Sequence, residues 1–210
     1  AKREGWYPGV FDLQVVAPHT EMNRRWGKYM LNYDSIIVPF MEILPHAKQF
    51  DSFFMRPNDD SKYFAGGTFE FNEEFESWHY NVVQLGEDDG SGLRKDTMVL
   101  ISSLKDIVAE YRLFVVNGRV VTGSQYKLGG RVLYREITNS SDPRVYWFAS
   151  GMVEPMSIDS WQPAAAFCID IALLSDDSFR IIETNTINAA GLYNSDTQKL
   201  VAALSTFNTE

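Results

Sequence analysis

Residues 167–185 read FCIDIALLSDDSFRIIETN, and this stretch is the most informative in the chain. Two apolar runs flank the polar segment 175–178, a pattern that predicts an antiparallel β-hairpin. If the loop contains two or four residues centred on the Asp-Asp pair, the strand register is fixed and Asp170 faces Glu183. An odd-numbered loop would shift the register by one residue and turn one of the two acids to solvent.

Two facing carboxylates repel each other, and neither Asp170 nor Glu183 has a basic partner within its own strand. We therefore expect a cationic group between them. Asn185 lies two residues beyond Glu183, hence on the same face, and adds an amide oxygen. This oxygen set suits magnesium, above all magnesium that is also held by phosphate groups. Because the carboxylates repel, Glu183→Gln is expected to leave the protein equally or more stable.

The composition limits the class of protein. The chain has 210 residues, of which 45% are hydrophobic, enough to bury the core of one large domain or two small lobes. A formal net charge of -9 argues against a nucleic-acid partner, which would require a basic stripe. The apolar runs are shorter than a membrane span and the start does not read as a signal peptide, so we expect no membrane partner and a cytoplasmic location. Cys168, the single cysteine, reads as a core thiol.

A second hairpin is predicted around the Asn-Gly dipeptide at 117–118, which supplies the positive φ angles that a tight I′ turn requires. Its register would place Arg112 opposite Gly123 and Glu110 opposite Gln125. Four polar side chains would then share one face of the hairpin: Glu110, Arg112, Gln125 and Lys127. This face is either an ordinary solvated surface with a Glu-Arg pair or part of a polar site.

Helices are predicted from capping residues followed by apolar residues at helical spacing. Thr20 is expected to cap the first helix, Asn72 another, and Ser195 with Gln198 to form the capping box of the last. Further strands are predicted at residues 50–56 and 98–101. Strands and helices alternate, which predicts an α+β fold with largely antiparallel sheets.

Several short motifs follow one another along the chain. They are Arg56-Pro57 with Lys62 and Gly66-Gly67, then Glu110-x-Arg112 entering the Asn-Gly hairpin, then Asp170, and then Glu183-x-Asn185. Together they resemble the ATP-grasp superfamily, and the segments 54–66, 110–116, 123–126 and 183–193 resemble its small R2K clade. The resemblance extends from about residue 36 to residue 205.

The resemblance implies the ATP-grasp fold, in which two α+β lobes with mostly antiparallel sheets sandwich the nucleotide. It implies a helical remnant of an N-terminal lobe at residues 1–48, a small lobe at 49–101, and a large lobe with the metal site at 102–210. Relatives usually carry a larger N-terminal lobe that helps to bind the acceptor. Because this lobe is reduced here, the resemblance does not identify the acceptor substrate.

The resemblance also implies roles for individual residues. The adenine of ATP would pack against the connector formed by Ser102, Leu104 and Lys105. The rest of the nucleotide would meet Arg56, Lys62, Gly66, Gly67, Glu110 and Arg112. Asp170, Glu183 and Asn185 would hold Mg²⁺ between the β- and γ-phosphates. Arg112 and Lys62 would act in catalysis, and Ser124 and Asn188 are candidates for holding the acceptor.

The implied activity is ATP- and magnesium-dependent ligation of a carboxylate to an amine through an acyl-phosphate intermediate. The acceptor is unidentified and is an amino acid, a peptide or a protein. One alternative is a nucleotide-binding module without catalysis, against which the complete acid-acid-amide set argues. The other alternative is a small-molecule kinase that uses the same site.

Overall fold

The computed structural model of the protein describes residues 17–59, 63–86, 90, 92–155, 158 and 160–206, except for the side chain at 189. Within these residues, nine strands form two antiparallel sheets of four and five strands, which we call the small sheet and the large sheet. This arrangement confirms the predicted α+β class. In the described part of the chain, no helix has the length and apolar character needed to cross a membrane.

The small sheet contains, in order across it, β1 (Ile36–Pro39), β4 (Met98–Ser103), β2 (Ser52–Pro57) and β3 (Gly67–Glu70). Along β2 alternate residues are buried, and Phe53 and Met55 enter a core with Phe75 of α3 (Glu73–Tyr80). Asn72 caps α3 as predicted, because its side chain accepts a hydrogen bond from the Phe75 N–H at 2.9 Å. The short α2 (Leu44–Ala47) packs against the same core.

The large sheet contains, in order across it, β7 (Arg131–Ile137), β6 (Arg119–Leu128), β5 (Ile107–Val116), β8 (Ala166–Leu174) and β9 (Phe179–Asn185). Leu113 and Val115 on one face pack with α1 (His19–Trp26) and α4 (Pro143–Val153). Phe114 and Val116 on the other face pack with α5 (Thr197–Ser205). Since side chains alternate along a strand, Arg112 shares the α5 face.

The β8–β9 hairpin has the predicted register at its acidic pair but not the predicted loop. The loop is odd-numbered, because Leu173 pairs with Phe179 and Asp177 takes a left-handed φ of 66°. A β-bulge at Ile182 then adds one residue to β9, so that Asp170 pairs with Glu183. The bulge therefore corrects the one-residue shift that the odd loop introduces.

The β5–β6 hairpin contains the predicted turn, since Asn117 and Gly118 have φ angles of 49° and 71°. Val115 pairs with Val120 as the turn dictates, but the next pair shows that one residue of β6, Val121, is extra. This bulge shifts every later pair by one residue. The register predicted for the residues beyond it is therefore wrong.

The shift changes the partners of the polar residues. Arg112 pairs with Ser124 instead of Gly123, and a second bulge pairs Glu110 with Lys127 instead of Gln125. Between the two bulges, Gln125 pairs with Tyr111 on the opposite face of the sheet. Glu110, Arg112 and Lys127 thus share one face, as predicted, but Gln125 does not.

Two predicted helix caps are wrong by one or two residues. The first helix begins at His19 with Pro18 at the N-cap, and the Thr20 hydroxyl instead lies 3.0 Å from Asn58 Oδ1. For α5 the cap is Asp196, which accepts from the Lys199 N–H at 3.0 Å. Neither Ser195 nor Gln198 serves that helix start, because the adjacent aspartate occupies the capping position.

The chain before residue 48 is shared between the two sheets. Met22, Trp26 and Met30 pack into the core of the large sheet, and Met30 forms a bridge with Ile181 of β9. β1 instead pairs with β4 in the small sheet. This differs from the single helical remnant predicted for residues 1–48, of which 1–16 lie outside the described residues.

Gly123 should be essential to the β5–β6 pairing. A Cβ atom at this position would lie 2.8 Å from the Arg112 carbonyl oxygen, a backbone atom that cannot rotate away. We expect Gly123→Ala to lower the free energy of unfolding by about 1–3 kcal/mol, measured by urea denaturation. Gly67→Ala is the matched control, since a Cβ there would meet nothing within 4 Å. Equal stability of the two variants would contradict the close approach.

Candidate functional site

A cleft of about 570 Å³ lies between the two sheets. The small sheet and the chain that follows β2 supply Phe54, Arg56, Pro57, Asp59, Phe64, Ala65 and Gly66. The large sheet supplies Glu110, Arg112, Tyr126, Asp170, Ile182, Glu183 and Asn185. Residues from distant parts of the chain thus form one cavity, and seven of the predicted site residues line it: Arg56, Gly66, Glu110, Arg112, Asp170, Glu183 and Asn185.

Arg112 and Asp170 form a buried pair across the centre of the large sheet. They lie opposite each other on β5 and β8, and Nε and Nη2 of Arg112 donate to Oδ1 and Oδ2 of Asp170 at 2.7 and 2.6 Å. Burial raises the pKa of Asp170 to about 6, although the arginine opposes the increase. At neutral pH the carboxylate is therefore ionised and holds the guanidinium through two parallel hydrogen bonds.

Glu183 is held by residues from both sheets. Arg56 of β2 donates a short hydrogen bond to Oε2, and the Asn185 side-chain amide donates to Oε1 at 2.8 Å. Burial alone would raise the pKa of Glu183, but Arg56 and Asn185 together outweigh burial and lower it. The ionised form of Glu183 is therefore favoured in the folded protein.

The cationic group expected between the two acids is thus a pair of arginines. Arg112 comes from the neighbouring strand, and Arg56 comes from the other sheet. Neither arginine belongs to the β8–β9 hairpin, so the sequence of the hairpin alone could not reveal these pairs. The Arg112 motif was visible in the sequence, but its place beside Asp170 depends on β5 pairing with β8, which no local pattern indicates.

The oxygen atoms at the acidic pair fit a magnesium ion that is completed by other ligands. Among the described residues, no group of three or more His, Cys, Asp or Glu side chains could hold a metal. Asp170, Glu183 and Asn185 offer two carboxylates and one amide oxygen on one face. Magnesium commonly binds one or two carboxylates and takes its other ligands from water and substrate phosphates. The donor set therefore suits magnesium that arrives with a phosphate compound.

Tyr126 also lines the cleft, although it was not among the predicted site residues. Its hydroxyl donates to Glu110 Oε2 at 2.8 Å, and Lys127 lies 2.8 Å from Oε1 of the same carboxylate. Two successive residues of β6 reach one acid because of the second bulge. Regular alternation would have placed Tyr126 and Lys127 on opposite faces, so no pattern in the sequence could reveal this contact.

A second cavity of about 360 Å³ adjoins the cleft. Four residues line both cavities: Phe54, Arg56, Glu110 and Ile182. The predicted connector residues Leu104 and Lys105 also line the second cavity, together with Ser103. The side chain of Ser102 does not, because it is buried and donates to Asn32 Oδ1 at 3.0 Å.

The glycine pair has two different environments. Gly66 lines the cleft and packs so closely on Arg56 that a Cβ atom would lie 2.9 Å from the Arg56 Cβ. Gly67 begins β3 and lines neither cavity. Lys62, the predicted phosphate ligand beside them, lies outside the described residues.

The two predicted acceptor residues lie away from the cavities. Ser124 is completely buried, and its hydroxyl donates to the Arg135 carbonyl at 3.0 Å and accepts from the Asn194 N–H at 3.4 Å. Asn188 is exposed on the short turn that follows β9. Neither side chain lines the cleft in this structure.

The contacts of Glu183 reverse the expected effect of Glu183→Gln. Because the folded protein favours the ionised form, we now expect the variant to lower the free energy of unfolding by about 1–3 kcal/mol at pH 7. A lowered pKa means that the stabilisation is present above the ordinary pKa of glutamate and is lost as the pH falls through the folded-state value. The difference between parent and variant, measured by urea denaturation, should therefore shrink in acid. A more stable variant at pH 7 would contradict the Arg56 contact.

Comparison with known proteins places this geometry in a family. The model of the ATP-grasp domain, R2K clade family 2, matches residues 36–203. A comparison with curated protein sequences gave no match. The fold is similar to that of the ATP-grasp ligase PsnB complexed with a minimal precursor, with a TM-score of 0.53 and 12% identity over 92% of this chain. The chain spans 60% of the length of PsnB.

Two further structures share the fold. D-cycloserine synthetase DcsG has a TM-score of 0.51 and 14% identity, over 90% of this chain and 71% of DcsG. A RimK domain protein ATP-grasp from Sphaerobacter thermophilus DSM 20745 has a TM-score of 0.56 and 8% identity, over 91% of this chain and 64% of that protein. With the family model covering most of its length, this chain belongs to the R2K clade of ATP-grasp proteins.

Proposed function

We propose that the protein is an ATP- and magnesium-dependent ligase that joins a carboxylate to an amine. One observation supports the proposal above all others. Between the sheets, the cleft brings together groups from three separate parts of the chain: Arg56, Arg112, Asp170, Glu183 and Asn185. Such a set matches a nucleoside triphosphate and its metal, because arginines bind phosphate oxygens and carboxylates bind magnesium.

ATP would extend across both cavities. The second cavity has apolar side chains on its walls, among them Leu31, Leu104 and Ile107, and suits the flat adenine ring. Arg56 and Glu110 line both cavities, so they lie where the nucleotide would pass from one to the other. The phosphates would then lie in the main cleft between Arg56 and Arg112.

The proposed reaction has two steps. The γ-phosphoryl group passes from ATP to an oxygen of the acceptor carboxylate, which gives ADP and an acyl phosphate. An amine then attacks the acyl carbon, forms the C–N bond, loses its proton and displaces inorganic phosphate. Magnesium, when bound by Asp170, Glu183 and Asn185, supplies charge neutralisation at the β- and γ-phosphates. Arg112 stabilises the negative charge that develops on the transferred group.

No protein nucleophile takes part in these steps. The thiol of Cys168 is fully buried, and burial raises its pKa, so it is unsuited to act as a thiolate. This agrees with transfer directly between substrates. The named activities of two structural neighbours, an ATP-grasp ligase with a precursor and D-cycloserine synthetase, support ligation as the reaction class.

A peptide or a protein is our proposed acceptor, with an amino acid as the smaller alternative. PsnB has been observed in complex with a minimal precursor, and this supports the larger acceptor. Arg112 lines the cleft, so the reacting end of such an acceptor would enter there. A kinase acting on a small molecule stays the second candidate, because transfer of the γ-phosphoryl group is common to both reactions.

An assay of the two products separates ligation from simple phosphoryl transfer. We expect the protein, incubated with ATP, magnesium and pooled amino acids or peptides, to release ADP and phosphate in equal amounts. Arg112→Lys keeps the positive charge but cannot form bidentate hydrogen bonds, so it should lower kcat by about tenfold or more. Release of ADP without phosphate would identify a kinase, and no turnover with any pool would favour the non-catalytic module.

The magnesium site can be tested without turnover. A ligand that binds only the folded protein stabilises it more when it binds more tightly, so the thermal shift produced by ATP reports binding. We expect the part of this shift that depends on magnesium to shrink in Glu183→Gln and to persist in Glu74→Gln, whose acid is exposed on α3. Equal magnesium-dependent shifts in parent and Glu183→Gln would rule out Glu183 as a ligand.

A further inference from the structure

The loop at residues 190–196, between β9 and α5, crosses back over the large sheet and covers Arg112. The Asn194 N–H donates to Ser124 Oγ at 3.4 Å, which fixes the loop to β6. Arg112 donates from Nη1 to the Gly191 carbonyl at 3.4 Å. The loop is thus attached both to the strand beside Arg112 and to Arg112 itself.

Tyr193, within this loop, stacks on two other tyrosine rings. Its ring centroid lies 5.0 Å from that of Tyr126 and 5.1 Å from that of Tyr134, with interplanar angles of 20° and 25°. Its backbone φ is 50°, in the left-handed region where a bulky residue is rare. A backbone conformation of this kind persists only where surrounding contacts hold it. Here the two stacked rings supply such contacts.

The guanidinium of Arg112 lies over two of these rings. Its Cζ atom is 5.0 Å from the ring centroid of Tyr193 and 5.8 Å from that of Tyr126. At distances within about 6 Å the negative face of an aromatic ring attracts a cation. This attraction uses none of the N–H donors that lie in the guanidinium plane. The rings and the Asp170 carboxylate therefore hold Arg112 through different interactions.

We propose that Tyr193 is a positioning residue for Arg112. It keeps the guanidinium in place while the N–H donors exchange the Asp170 carboxylate for a γ-phosphate oxygen of ATP. The inference rests on the proposed function, because it requires a phosphate beside Arg112. Asp170 cannot hold Arg112 through this exchange, since its hydrogen bonds are the ones that phosphate replaces. The Tyr193 ring competes for none of them.

The test compares binding of ADP with binding of the non-hydrolysable analogue β,γ-imido-ATP, both with magnesium, by isothermal titration calorimetry. Tyr193→Leu keeps an apolar side chain but removes the aromatic face. We expect the analogue to bind about five- to tenfold more weakly, while ADP affinity changes less than twofold. Tyr193→Phe keeps the ring and should behave as the parent. Tyr134→Leu is the matched control, because it removes a ring that stacks on Tyr193 and, among the described residues, makes no cation–π contact with Arg112.

A second variant, Tyr193→Asn, keeps the inference testable if Tyr193→Leu does not fold. Asparagine tolerates the left-handed backbone and has no aromatic face, so Tyr193→Asn should show the same selective loss. A loss of equal size for ADP and the analogue in both variants would overturn the inference, because the tyrosine would then support the whole nucleotide site. Analogue affinity unchanged in a folded Tyr193→Asn would overturn it as well.

Arg112→Lys separates this inference from the proposed function. The ratio of analogue affinity to ADP affinity is the quantity to compare between Arg112→Lys and the parent. If this ratio is unchanged, Arg112 does not contact the γ-phosphate and the proposed role of Arg112 fails. If Arg112→Lys weakens the analogue but Tyr193→Leu does not, the proposed function stands and the role of Tyr193 fails. We expect each single variant to weaken binding of the analogue. In the double variant, the fold loss of affinity should be smaller than the product of the two single losses.

Discussion

The buried pair of Arg112 and Asp170 is the interaction on which the site depends. It lies in the middle of the large sheet, on two neighbouring strands, where removing either partner would leave an unpaired charge in the protein interior. Such a loss usually costs several kcal/mol, whereas the intact pair adds little net stability, because desolvation offsets the attraction. A role in the site therefore explains the pair better than stabilisation of the sheet does. The geometry of the pair fixes where the guanidinium lies before a substrate enters.

The second pair, Arg56 and Glu183, joins the two sheets across the cleft. Together the two pairs contain two positive and two negative charges, so without a ligand the cleft walls are neutral at these positions. A magnesium nucleotide would bring both a cation and an anion. The carboxylates of Asp170 and Glu183 could then turn to the metal and the two arginines to the phosphates, so that every charge keeps a partner of opposite sign. A site built from pairs can thus exchange partners without leaving any buried charge uncompensated.

Much of the fold could be predicted because its local signals are strong. The Asn-Gly turn, the apolar strands and the Asn72 cap each depend on residues close in the chain, and the structure contains all three. Strand register could not be predicted reliably, because two of the bulges fall at Val121 and Ile182. Both are ordinary strand residues, without the glycine or proline that would mark an irregularity. One bulge made the predicted Arg112 partner wrong, whereas the other restored the predicted acidic pair after an odd loop.

The electrostatics of the site show why neighbours in the sequence do not reveal the electrostatic environment of a buried acid. Within the hairpin alone, Asp170 and Glu183 are two like charges, and their repulsion suggested that neutralising either would help folding. In the folded protein, each acid has a closer and opposite charge, contributed by a strand from elsewhere in the chain. At Glu183 burial alone would raise the pKa, but Arg56 and Asn185 together outweigh burial and lower it. At Asp170 burial is the larger effect and the pKa is raised, although the arginine contact is bidentate. Two acids on one hairpin therefore differ in pKa because one is more deeply buried, a property that only the packing of the two sheets determines.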